Sequence, residues 1–448
     1  MNKIINFFIH LFFKDTGSVN IQSLVGKSFR IFSIQLISVT LIFAGNVLVA
    51  RWAGEENYGL YSHIFNWFAL LSIIAVAGMD DYHIAVLPGL KIQKNFAAIR
   101  RILQWSVISI AIASALVIAF FTFIVSNIDI RGLYENQLIF KYSISLILLF
   151  ALSNNFTSFL RGMDVIVHSQ VSEKLLRPLV FLAALAIFFF KDQSALGIYQ
   201  LISAMAFAVL VGLFYQAWLI QKELKISTPV TPTHATPDLS FRRNKYFLAM
   251  SILYVLTARI DILTLGSMAD TTEVGYYNVA LKMADIIAYP VVIINLILPT
   301  LLSKHYHLND KREILELIRN GSRGMFFGCL IIFVLAILAG PWLLALYGKN
   351  FNVAFLPLMF LGAAQLVTAF TGPVCAYFLV SGSERIATLC MLANVIVTAL
   401  CCFILIPTLG IKGAAIANLC GSIVFNLALT LFFYSKEGVW ITPITKIR

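Results

Sequence analysis

The sequence predicts an all-α integral membrane protein of about twelve transmembrane helices, divided six and six. Three observations carry this expectation. Of 448 residues, 60% are hydrophobic and only 12% are charged, where a soluble chain carries roughly 25% charged residues. Apolar stretches of about 20 residues recur along the whole chain, the length a helix needs to cross hydrocarbon. One long polar stretch, Gln221 to Lys245, interrupts them near the middle.

The elements follow in order. Met1 to Phe13 is a short apolar run with Lys3, soon followed by Lys14 and Asp15. It has no small-residue cleavage site, so it reads as an interfacial helix rather than a cleaved signal. Expected spans run roughly 28–50, 59–84, 102–126, 138–160, 171–190 and 194–220, then 245–267, 274–301, 323–347, 351–380, 386–407 and 411–434. Between the two groups, STPVTPTHATPD carries Pro229, Pro232 and Pro237 and is followed by Arg242, Arg243 and Lys245. It reads as a linker, part extended and part flexible. The expected division is 1–220, linker 221–244, and 245–448.

Charge orients the spans. A net charge of +12 is compatible with nucleic-acid binding, but cytoplasmic loops of membrane proteins collect Lys and Arg. With both termini inside, inner segments hold about 25 of the 33 Lys and Arg, and outer loops hold about 6. Multi-pass insertion in the inner membrane with cytoplasmic termini is therefore expected, and nucleic acid is excluded as a partner. All six cysteines lie in apolar stretches without zinc or disulfide spacing, so they read as packing residues.

The halves resemble each other. RWAGEENYGLYS (Arg51 to Ser62) aligns with SMADTTEVGYYN (Ser267 to Asn278) at one offset, matching Ala53 to Ala269, Gly59 to Gly275 and Tyr61 to Tyr277. FLRGMD from Phe159 resembles FLVSGSE from Phe378, and Leu196-Gly197-Ile198 resembles Leu409-Gly410-Ile411. The shared order points to duplication. Six spans per half make a parallel repeat about an axis along the membrane normal, with a substrate path between the halves.

No Walker motif, dinucleotide fingerprint, metal-ligand cluster or catalytic Ser/His/Asp set is present, so no cofactor and no enzyme activity are expected. His305 and His307 in SKHYHLND read as solvated loop residues. Charge within the membrane remains. Span seven carries Arg259 and Asp261, and span eight carries Lys282 and Asp285. Each cluster starts about eight residues from the outer turn, about 12 Å deep at helical rise. Four such charges facing lipid cost on the order of 10 kcal/mol, so they face protein or a wet cavity. Asn278, Lys282, Asp285 and Tyr289 share one face. Tyr254, Thr257, Asp261 and Thr264 share another, with Arg259 pointing nearly opposite to Asp261. Asp261 or Asp285 either pairs with Lys282 to hold the helices together or acts as an ion-coupling carboxylate; both readings stay open.

Amides are further candidates, because they donate and accept as sugar hydroxyls require. Gln35 and Asn46 share a face of span one, and Asn154 and Asn155 lie on span four. Gln365, Asn394, Asn418 and Asn426 occupy late spans, and interhelical glue is the competing role for all of them. Arg161, Lys174 and Arg177 form a basic mouth that the positive-inside bias also explains. Pro290 and Pro299 bend span eight, and Pro373 does the same in span ten.

RWAGEENYGLYS, RIDILTLGSMADTTEVGYYNVALKMADIIAYP and ILPTLLS resemble the polysaccharide (O-antigen and capsule) flippases of the multidrug/oligosaccharidyl-lipid/polysaccharide exporter superfamily. The resemblance covers most of the chain. It implies two six-helix bundles around a central cavity that is cationic in the family, with Arg259 and Lys282 as the fitting positions here. It also implies an undecaprenyl-diphosphate-linked oligosaccharide as substrate, moved between leaflets for O-antigen or lipopolysaccharide assembly. Substrate contacts are then expected at Lys282, Arg259, Asn46, Gln35, Asn154, Asn278 and Tyr289. Ion coupling, to proton or sodium, is expected at Asp261 and Asp285. Membrane lipids and other glycan-assembly proteins are the expected partners. A drug/cation antiporter of the same superfamily and a membrane glycan polymerase or ligase are the alternatives. The first suits an acidic cavity and the second needs outward machinery that the short outer loops do not supply.

Overall fold

The computed structural model describes residues 21–76, 78–127, 143–144, 146–192, 196–226, 241–307 and 310–443. Among these the chain is helical throughout, with no strand. The segment Met1 to Phe13, most of the linker, the loop near 128–142 and the side chain of Gln35 lie outside the described residues.

The first half holds α1 (Ile21–Val76), α2 (Met79–Ile92), α3 (Phe96–Asn127), α4 (Ile147–Gly162), α5 (Ile166–Val171), a π turn (Ser172–Leu176), α6 (Arg177–Asp192) and α7 (Ile198–Ile226). The second holds α8 (Phe241–Met268), α9 (Thr271–Ile287), α10 (Tyr289–His307), α11 (Lys311–Ala345), a 3₁₀ turn (Lys349–Ala354), α12 (Phe355–Thr371), α13 (Val374–Val380), α14 (Glu384–Leu409) and α15 (Ile411–Glu437).

Joining broken helices gives the expected two sets of six spans. α1 holds spans one and two, interrupted at Gly54 with φ 80° and ψ 171°, a conformation glycine adopts without Cβ strain. Span two then breaks at Gly78 (φ 75°) and continues as α2. α5, the π turn and α6 form span five. Spans eight and ten are likewise broken. α9 and α10 meet at 51°, where Pro290 removes a backbone donor, and α12 gives way to α13 at Gly372 and Pro373. Among the described residues, seven helices are long and apolar enough to cross a membrane, or eight with the bent pair. In that count α1 holds two spans and counts once, α4 has only 16 residues, and span five is split by the π turn. SKHYHLND is a correction to the sequence reading. α10 extends to His307, so His305 ends a helix rather than lying in a loop.

Large apolar side chains such as Phe190, Phe214, Trp342 and Ile404 are exposed, as expected where hydrocarbon rather than water is the solvent. Inside, Tyr58, Ile99, Ile147 and Phe159 belong to the larger core, while Leu302, Ile318, Phe378 and Phe433 form a second core within the later half.

The two halves meet where the repeat predicts. A Cβ on Gly59 would lie 1.8 Å from the Thr271 carbonyl oxygen, and one on Gly275 would lie 3.1 Å from the Gly59 Cα and 3.2 Å from the Glu55 oxygen. Glu55 corresponds to Thr271 by the same offset as Gly59 to Gly275. Each glycine therefore touches its counterpart and its counterpart's neighbour, the pattern of contact across a two-fold axis. Ser62 and Asn278, 216 positions apart, are also counterparts, and the Asn278 Nδ2 donates to the Ser62 Oγ at 3.0 Å.

Candidate functional site

The end of the molecule holding this crossing is sealed by polar contacts between the halves. Asn278 donates to the Tyr58 hydroxyl at 3.0 Å as well as to Ser62. Tyr58 in turn donates to the Asn46 Oδ1 at 3.1 Å, and Asn46 Nδ2 donates to the Ile42 carbonyl at 2.7 Å. The Tyr276 hydroxyl donates to Glu55, and the Arg51 Nε donates to the Leu346 carbonyl at 2.5 Å. Asn46 and Asn278, expected on the substrate path, are thus joined through Tyr58 in the seal.

Farther along α8, Asp261 is fully buried. It accepts from the Tyr277 hydroxyl at 2.6 Å, the Asn418 Nδ2 at 2.8 Å and the Ile262 N–H at 2.8 Å. These donors come from α8, α9 and α15, all in the second half. Three converging donors replace much of the hydration a buried carboxylate loses. The reading in which Asp261 forms an ion pair with Lys282 is therefore corrected: its direct partners are a phenol, an amide and a backbone N–H.

Lys282 stands about one turn along α9 from the Asn278 seal. Its Nζ is 4.0 Å from Asp285, and their side chains retain 23% and 53% of their accessible surface. Lys282 and Asp285 thus form a partly accessible polar pair about one turn from the seal. Arg259 lies two residues before Asp261 on α8, nearly opposite it around the helix.

On the first half, the π turn presents Glu173 and Lys174. Glu173 pairs with the Lys174 Nζ at 3.0 Å and the Arg161 Nη2 at 3.3 Å. Arg177 donates to the Ser153 Oγ at 2.5 Å and lies over the Phe150 ring at 5.7 Å. The chain reaches this arrangement by a tight turn after α4, where Asp164 has φ 60°. Arg161 and the π turn thereby face each other.

Several of the other amides make structural bonds. Asn155 donates to the Ser106 Oγ at 3.3 Å, Asn426 to the Thr368 Oγ1 at 3.2 Å, and Asn394 accepts from Thr398 at 3.0 Å; these bonds hold helices together or brace a single one. Asn154 is half-buried on α4, and Tyr289 is half-buried at the α9–α10 bend. The six cysteines are free, and no cluster able to hold a metal occurs among the described residues. Sequence reasoning missed Glu173, Tyr58 and the Glu55–Tyr276 contact. Glu173 had a signal, an acid next to Lys174 and four residues before Arg177. Tyr58 had none, since its partners lie across the seam.

The repeated halves and the closed crossing between them define a multi-pass helical membrane protein. Residues 24–305 match the family described as Polysaccharide biosynthesis protein, and the chain belongs to it. Among solved structures, the outward-facing conformation of a multidrug resistance MATE family transporter is similar over 91% of this chain and 94% of its own, with a TM-score of 0.67 at 14% identity. The lipid II flippase MurJ, in an inward closed conformation, matches over 90% of this chain and 87% of its own, with a TM-score of 0.66 at 12% identity. A superfamily transporter from Pyrococcus furiosus, described by the reversed polarity of its binding pocket, matches over 91% and 95%, with a TM-score of 0.64 at 12% identity. These likenesses establish the fold. No curated protein matches the chain in sequence.

Proposed function

We propose that the chain flips an undecaprenyl-diphosphate-linked oligosaccharide from the inner to the outer leaflet by alternating access. The observation that carries this reading is the pair of partly accessible basic groups, Lys282 beside Asp285 in the second half and Arg161 with Lys174 around Glu173 in the first, in a molecule sealed at one end. A lipid diphosphate does not cross hydrocarbon unaided, because its charge loses hydration there. Cations in a cleft between the bundles replace that hydration while the lipid tail stays in the bilayer. The same cations repel a cationic drug, which weighs against the antiporter alternative. Membership of a polysaccharide biosynthesis family supports the glycan part of the substrate.

In this reading residues 1–220 and 245–448 rock as units joined by linker 221–244, the seal opens, and the glycan is solvated by amides such as Asn154. Asp261 or Asp285 couples the cycle to proton or sodium, worth about 2.3 kcal/mol per charge per 100 mV. The linker end is cytoplasmic, placing Lys91, Arg243 and Arg312 inside and Asn57 and Thr272 outside. Single cysteines at these positions, treated on intact cells with an impermeant thiol reagent, are expected to label at 57 and 272 alone. Strong labelling at 243 with none at 272 inverts the topology and removes the proposed direction of transport.

Flipping is tested directly in vesicles holding the purified protein and a fluorescent undecaprenyl-diphosphate oligosaccharide. Protein-dependent loss of leaflet protection is the expected result. Transport of a cationic dye in the same vesicles, with the diphosphate lipid left in place, refutes the proposal.

A further inference from the structure

Resting on that reading, we infer that Glu173 is a resident counter-ion of the first half's cations, which a diphosphate displaces on binding and which returns to expel it. The observation is a charge cluster already satisfied from within. Glu173 pairs with Lys174 at 3.0 Å and Arg161 at 3.3 Å, with Arg177 also in electrostatic range. With its amide oxygen turned to Arg161, Gln170 accepts from the Nη2 at 2.7 Å and the Nε at 3.2 Å. Three cations and one carboxylate leave a net charge of two positive units.

Two features separate this cluster from an ordinary structural ion pair. It is reachable, since the side chains of Arg161, Lys174 and Glu173 retain 36%, 30% and 23% of their surface. It is also incomplete, since the buried Arg177 Nε has no partner. Both residues of the Glu173–Lys174 pair sit on a π turn, a departure from α geometry that is frequent at functional sites.

The competition follows from charge and valence. A carboxylate brings one negative charge and two acceptor oxygens. A lipid diphosphate brings more charge and more acceptor oxygens than a carboxylate. It therefore outcompetes Glu173 for the cations, whereas a monoanion does not. Once displaced, the carboxylate stays tethered beside the site. Its return lowers the hold on the diphosphate, so Glu173 sets both charge selectivity and release. No bond is made or broken; one anion exchanges for another on the same donors.

The test uses the full-length protein in nanodiscs with farnesyl diphosphate as probe and farnesol as the uncharged control. If Glu173 occupies the cations nine-tenths of the time, Glu173→Gln binds farnesyl diphosphate about tenfold more tightly, because apparent affinity scales with the competent fraction. Farnesol binding stays unchanged, and release of the diphosphate slows. Glu173→Asp, which keeps the charge and shortens the reach, gives intermediate tightening and carries the test if Glu173→Gln does not accumulate. Affinity for farnesyl diphosphate equal to or weaker than wild type in the variants, with wild-type binding intact, overturns the counter-ion role. Absence of diphosphate-dependent binding in the wild type as well overturns the substrate reading on which it rests.

Discussion

Lys282→Ala is expected to reduce glycan export at least about tenfold, the effect of removing one charge-assisted contact, while protein in the membrane stays near the wild-type level. The geometry separates these two readouts. Losing a buried partner leaves an uncompensated charge at about 3–5 kcal/mol. Lys282, however, is paired to Asp285, at 4.0 Å with the carboxylate side chain 53% accessible. An accessible carboxylate finds water, and such pairs contribute little to stability. Asp261, the fully buried acid, already has three other donors. Lys282→Arg is expected to keep part of the export, since charge survives while the geometry of the contact changes. The measurements are surface glycan by blot and transporter by membrane fraction, in one strain. Normal export by Lys282→Ala sinks the assignment. So does full rescue by Lys282→Ala combined with Asp285→Asn, which marks the pair as structural.

The second large effect concerns two glycines that suffer the same insult with different outcomes. A Cβ at Gly59 meets the Thr271 carbonyl at 1.8 Å, and a Cβ at Gly413 meets the Leu405 carbonyl at 2.4 Å. Backbone yields in neither case without a shift, and such overpacking costs about 1–3 kcal/mol. The difference lies in what is free to move. Gly413 sits in the α14–α15 hairpin inside one half, so Gly413→Ala is expected to lower membrane abundance. Gly59 sits on the seam, where parting the halves relieves the clash. Gly59→Ala is then expected to leave abundance near normal and shift the population toward an open seal by about tenfold per 1.4 kcal/mol. A cysteine at Leu60, buried beside the crossing, reads this as faster labelling by an impermeant thiol reagent, relative to a parent with native cysteines alone. Equal labelling with and without Gly59→Ala shows that the crossing does not report opening.

Most of the fold was legible because membrane insertion imposes a simple rule: backbone must be satisfied within each span, so spans show as apolar runs. The repeat was legible at Gly59 and Gly275 because close approach demands a residue without Cβ on both sides. The stripe Asn278, Lys282, Asp285 and Tyr289 was only partly informative. Helical spacing puts these side chains on one face, but that face meets different surroundings along its length. Asn278 reaches Tyr58 and Ser62 in the seal, while Lys282 and Asp285 pair with each other and stay partly accessible. Tyr289 lies beyond a 51° bend. Partners distant in sequence were not legible. Asn418 reaches Asp261 from 157 positions away, and neither periodicity nor propensity encodes that contact. The charges themselves break the repeat: by the same offset, the first half carries Gly45 and Asn66 where the second carries Asp261 and Lys282, and it supplies its cations from the π turn instead.

The Gly59–Gly275 crossing has the form of a homodimer interface inside one chain. In an ancestor of half this length, two identical copies crossing at this point would each have supplied the same glycine, so one codon would have satisfied both sides of the contact. Fusion of the copies then freed each side to change alone. The departures already visible follow that freedom: Ser62 now faces Asn278 rather than another serine, and Glu55 stands where the other copy holds Thr271. At the Ser62–Asn278 pair the contact is directional, with the amide donor on the second half and the hydroxyl acceptor on the first.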